Sequence, residues 1–154
     1  VQRALGGMAR ATQRLARGAG DDRKGRLGAE EALQRGKALL RNGALAGALQ
    51  QFERAVEGAP DELEYRLYAA WTEQAVAKDE DARMVARAKA RALALQLAKQ
   101  DRKHAKAHAV LGVLLTDEGE LEAAERHFRA ALASDPEEID AKRGLRLVAQ
   151  RRGR

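Results

Sequence analysis

Apolar residues recur along this chain at every third and fourth position in two windows that echo one another. In the first window Leu33, Gly36, Leu39 and Leu40 share one face, and after a short break Leu45, Ala48, Leu49, Phe52, Ala55 and Val56 share another. That period belongs to amphipathic helices and predicts helices over 29–42 and 45–58. Asn42-Gly43-Ala44 separates them, and Gly58 and Pro60 close the second, because glycine accepts the left-handed backbone that ends a helix and proline cannot continue one. The second window predicts helices over 105–118 and 121–133, with the turn at Asp117-Glu118-Gly119 and a terminator at Asp135-Pro136. Val110, Leu111, Val113, Leu114 and Leu115 then face Leu121, Ala124, Phe128, Ala131 and Leu132. Gly36 and Gly112 hold equivalent mid-helix places, at a cost near 1 kcal/mol each relative to alanine. That cost is understandable where a partner helix crosses closely.

The pattern between the windows is longer and less regular. Leu63, Leu67, Ala70 and Trp71 open a helix reaching about Val76, and Met84, Ala88, Ala90, Leu93, Ala94 and Leu97 line a second over 82–100. The reading is a divergent hairpin over 63–104, between hairpins 29–61 and 105–136, with about eight extra residues expected around Ala77–Asp81. Residues 137–151, with Ile139, Leu145, Leu147 and Val148, predict a capping helix over the last hairpin, followed by a basic tail at 152–154. At the other end, Val1, Leu5, Met8, Thr12 and Leu15 oppose Arg3, Arg10, Arg14 and Arg17, and Gly18–Gly25 reads as a linker. The expected organisation is thus an N-terminal helix and linker over 1–28 and a repeat domain over 29–151. The N-terminal helix is expected to dock on protein, in cis or in trans with self-association, and stable membrane anchoring is not expected of so thin an apolar side. Valine at position 1 suggests a fragment of a longer protein.

Composition narrows the chemistry. Among 154 residues there is no cysteine, which removes disulfides and thiolate metal sites, and no apolar run approaches a membrane span. The arginines within residues 1–17 interrupt any secretory leader, so a cytoplasmic protein is expected. The net charge of +6 is concentrated at the ends, with seven Lys or Arg against two Asp in residues 1–28 and six against one in 139–154. A second basic stretch, 83–108, holds Arg83, Arg87, Lys89, Arg91, Lys99, Arg102, Lys103 and Lys106 against Asp101 alone. It reads as a solvated helix surface, with polyanion binding, to nucleic acid or an anionic membrane, as the alternative function it would support. No catalytic, metal or cofactor site emerges. His104 and His108 share a helix face at i,i+4, but Ala105, Lys106 and Ala107 lie between them, and lysine opposes a cation; they and His127 read as surface histidines.

Counted from Ala29 and Ala105, Gly36, Leu39, Gly43, Leu45, Ala48, Phe52, Ala55 and Pro60 correspond to Gly112, Leu115, Gly119, Leu121, Ala124, Phe128, Ala131 and Pro136. These residues resemble the tetratricopeptide repeat, a helix–turn–helix unit of 34 residues. The family's usual large aromatic near the start of the first helix is missing, Ala32 and His108 standing there. The resemblance implies an all-α fold, a right-handed superhelical stack of antiparallel hairpins with a capping helix. It implies a non-enzymatic scaffold that takes a protein or peptide on a concave surface formed by the first helix of each hairpin. The residues expected there are Glu30, Leu33, Lys37 and Arg41, then Leu67, Trp71 and Gln74, then Lys106, Ala109, Val113 and Asp117. Trp71 suits a binding hot spot or a plug between hairpins. Some family members grip a terminal carboxylate with cations and amides; here only Lys106 agrees, and an extended or helical peptide is expected instead. Glu64–Trp71 and Ala141–Leu147 also look like the C-terminal repeat region of large bacterial regulators carrying a J-type or other signalling domain, which implies a regulatory assembly.

Overall fold

The computed structural model describes the backbone of residues 2–153 and the side chains of residues 8–153. Among these residues seven helices follow in order: α1 (Gln2–Arg41), α2 (Leu45–Gly58), α3 (Leu63–Val76), α4 (Glu80–Gln100), α5 (Ala105–Asp117), α6 (Leu121–Ser134) and α7 (Ile139–Arg152). The C-terminal part of α1 pairs with α2, α3 with α4 and α5 with α6, giving three successive antiparallel hairpins closed by α7. This is an all-α solenoid of the tetratricopeptide type. The turn glycines Gly43 and Gly119 have φ of +76° and +83°, the left-handed backbone for which glycine suits both hairpin turns. Asp79 caps α4 by accepting from the Ala82 amide at 2.8 Å, and His104 Nδ1 caps α5 by accepting from the Ala107 amide at 3.2 Å.

Packing follows the repeated residues. Phe52 and Phe128 are fully buried, each against the mid-helix glycine of its hairpin. A Cβ on Gly36 would stand 2.4 Å from Phe52 Cε1, and one on Gly112 would stand 2.5 Å from Phe128 Cε1. The expected close crossing is therefore the contact of a phenylalanine ring with bare helix backbone. Phe128 is gripped a second time by Gly144 of α7, where an added Cβ would lie 2.2 Å from Cζ. That contact holds the capping helix onto the last hairpin. Between the middle and last hairpins, Leu63, Leu67, Trp71, Ala90, Ala94, Leu97, Ala107, Val110, Leu111 and Leu114 form one apolar cluster.

Two expectations about the elements need correction. Gly18–Gly25 is not a linker: α1 runs through it unbroken to Arg41. No proline interrupts residues 1–28, and a glycine in a helix costs about 1 kcal/mol without forbidding it. Every residue described from Met8 to Lys24 is exposed except the half-buried Gly20, so this part of α1 does not fold back on the first hairpin. The helix first touches the body where Gly25 meets Gly58, whose added Cβ would lie 2.7 Å from the Gly25 carbonyl oxygen. The extra residues of the middle hairpin are likewise not in its turn. They lengthen α4 to 21 residues, against 14 in α2 and α6, or about 10 Å more helix.

Polar side chains connect neighbouring inner helices. Glu30, second in the first repeat, is bonded to Tyr65, third in α3. Lys106, second in α5, has its ammonium 5.4 Å from the ring centroid of Tyr68, sixth in α3.

Candidate binding groove

The inner helices α1, α3 and α5, with α7, border a groove of about 940 Å³. Lys37, Arg41, Trp71, Gln74, Lys106 and Val113 line it, as the sequence led us to expect. Leu33, Leu67 and Ala109 do not; all three are buried in the apolar clusters, one helical step behind the groove wall. Glu30 stands exposed at the edge, its carboxylate accepting from the Tyr65 hydroxyl at 2.7 Å and from the Gln34 amide at 2.9 Å. Those two bonds hold its carboxyl below its ordinary range. Asp117 lies outside the groove, at the far end of α5, where it pairs with Arg87 of α4. Tyr68, Thr72, Asp140 and Arg143 line the groove without having been singled out from sequence.

Charge on the groove wall is organised around Lys106, which is only 4% exposed. Its ammonium donates to Asp140 Oδ2 at 3.0 Å and Glu138 Oε1 at 3.3 Å, and Trp71 Nε1–H donates to the same Asp140 oxygen at 3.1 Å. Burial works against the charge of Asp140, but the Lys106 ammonium and the two hydrogen bonds outweigh it and hold the carboxyl below its usual value. Burial likewise opposes the Lys106 charge, and the carboxylates of Asp140 and Glu138 reverse this, raising its pKa. Trp71, 7% exposed, therefore fills the space between α3 and α7 and at the same time forms part of the groove wall.

Nearer α1, Lys37 pairs with Glu64 at 3.4 Å and stands 5.0 Å from the Tyr68 ring centroid, so one aromatic ring lies between two ammonium groups. Glu64 also faces His104 Nε2 at 3.5 Å. The bond to His104 comes first among the causes that lower its pKa, and it outweighs burial with the help of Lys37.

The basic stretch and the histidines are more engaged than expected. Arg83 pairs with Glu80, Arg87 with Asp117, Arg91 with Glu118, and Lys106 with Glu138 and Asp140, which removes much of the charge a polyanion would meet. His108 Nε2 lies 2.6 Å from the Arg102 carbonyl oxygen, a contact that requires an N–H. Its Nδ1 lies 3.0 Å from His127 Nδ1, within hydrogen-bond distance. Burial, then His108 and Arg126, lower the pKa of His127. Among the described residues no three His, Cys, Asp or Glu side chains converge as a metal site would need, and no helix is long and apolar enough to cross a membrane.

Stacked hairpins with one continuous groove define a helical-repeat module. No family model matches the chain, and no curated protein sequence matches it at a significant level. Solved structures do. The TPR domain of Arabidopsis OM64 superposes with a TM-score of 0.53 at 16% identity, covering 82% of this chain and 98% of that one. The first TPR of Spaghetti (RPAP3), bound to the HSP90 peptide SRMEEVD, gives 0.52 at 17% identity over 84% of this chain and 96% of that one. The Sgt2 TPR domain from Aspergillus fumigatus gives 0.50 at 19% identity over 80% and 78%. At these identities the likeness is one of fold.

Proposed function

We propose that this chain is a non-enzymatic, cytoplasmic adaptor that holds an extended or helical segment of a partner protein in the α1–α3–α5–α7 groove, as part of a regulatory assembly. The observation that carries this reading is the groove itself. It is large enough for a peptide, open along one side of the stack, and lined by amides, cations, carboxylates and apolar side chains that suit mixed contacts. The state of Lys106 supports a segment bound along its length over end-on capture of a terminal carboxylate: the ammonium already carries two carboxylates of its own chain. The first TPR of Spaghetti (RPAP3) binds a peptide on this fold, which makes peptide binding a reasonable use of the present groove.

Affinity capture from native extract, read by mass spectrometry, would supply the partner. Lys37→Ala, Arg41→Ala and Gln74→Ala together should weaken its binding at least about tenfold, measured by calorimetry, while the melting temperature stays near that of the parent. Unchanged affinity in this triple variant would sink the groove assignment. Trp71 and Lys106 are unsuitable probes of binding, because both hold α7 in place.

A further inference from the structure

We propose that the outer face of α4 is a self-association surface on which a second copy of this chain docks antiparallel across a two-fold axis. Met84, Val85 and Leu95 of α4 are 60%, 57% and 49% exposed, whereas the remaining large apolar side chains exposed among the described residues are scattered over α1 and α7. They lie on the side of α4 away from α3 and α5, with Asp81, Ala88, Ala92 and Lys99, all exposed. The positions 81, 85, 88, 92, 95 and 99 alternate steps of four and three, the spacing of a helix-pairing seam.

The seam is complementary to its own reversal. Asp81 and Lys99 are equally far from Ala90, as are Val85 and Leu95, and Ala88 and Ala92. An antiparallel pair centred there sets Asp81 of each copy against Lys99 of the other. Leu95 enters between Met84 and Val85, and alanine meets alanine at the centre, where small side chains let the helices approach to about 8 Å. A parallel pair would instead oppose Asp81 to Asp81 and Lys99 to Lys99. Lys89, beside the axis, makes the main like-charge contact, and it lies at the rim in solvent.

The extra length of α4 is what makes the seam possible, since 14 residues would span only two heptads. A single helix pair of about 31 Å buries less than the 1,200–2,000 Å² of a typical stable interface, so the dimer is reversible, with a dissociation constant in the micromolar range. The groove is bordered by α1, α3, α5 and α7, so pairing through α4 leaves both grooves open and joins two binding sites in one assembly.

Sedimentation equilibrium of the full chain from about 1 to 500 µM should show a monomer–dimer equilibrium. Leu95→Glu, Asp81→Lys and Lys99→Asp should each raise the dissociation constant more than about tenfold, with helix content and melting temperature unchanged. Asp81→Lys combined with Lys99→Asp in one chain should restore the dimer, because the swapped charges again meet their opposites. A chain that stays monomeric throughout overturns the proposal. So does a dimer that survives Leu95→Glu, which would place the interface elsewhere, as on the exposed part of α1.

Discussion

At the residue scale the fold depends on bare backbone meeting aromatic rings. The small positions Gly36 and Gly112 were legible from sequence because a mid-helix glycine has a cost that only close packing explains. Gly144 was not, since nothing in the local pattern of α7 shows which ring it will meet. Gly36→Ala, Gly112→Ala and Gly144→Ala should each lower stability by roughly 1–3 kcal/mol despite alanine's better helix propensity, because the new Cβ would overlap Phe52 or Phe128. Gly20→Ala, with nothing within 4 Å of its added Cβ, should instead raise the helix content measured by circular dichroism. Lys106 illustrates the opposite limit of a sequence reading. Its place on the inner face was expected, and its burial between Glu138 and Asp140 was not, because those partners lie more than 30 residues away. Lys106→Met should cost about 3–5 kcal/mol by leaving two carboxylates uncompensated, and adding Glu138→Gln and Asp140→Asn should recover most of it. The pKa of Asp140 is depressed by folding, so its contribution is present above the unfolded value near 3.9 and is lost as pH falls through the lower folded value. Urea midpoints should therefore fall less steeply below about pH 4 in Asp140→Asn than in the parent.

At the element scale, six of the seven helices lie within two residues of their expected limits, because the helical period and the local turn signals agree there. The one departure in limits, α1, and the misplaced extra residues of the middle hairpin both come from segments where those local signals were weak. A glycine-rich stretch with no proline stays helical in α1, and the additional residues of the middle hairpin extend α4 with its period intact. Length alone did not reveal whether a loop or a helix had grown. The exposed part of α1 leaves a clear expectation: deletion of residues 1–22 should leave the melting temperature of the remaining chain unchanged, since the contact with α2 begins only at Gly25. A marked fall on calorimetry would mean that this segment is covered in solution.

For the whole molecule, the sequence by itself determined the repeat class, the hairpin boundaries and the identity of most core residues. These follow from interactions within about ten residues, namely helical periodicity, turn conformation and the pairing of adjacent helices. Helical phase fixes which face a residue occupies, and Lys37, Arg41, Trp71, Gln74, Lys106 and Val113 line the groove. Phase was too coarse to separate the groove wall from the layer behind it, so Leu33, Leu67 and Ala109 were placed one step too far out. Only the tertiary structure decided how the hairpins are offset. Trp71, Lys106 and Asp140 come from three different helices and meet only in the folded stack. The charge available in the groove is set by such pairings, which depend on the register between helices and leave no trace in the local pattern of any one of them.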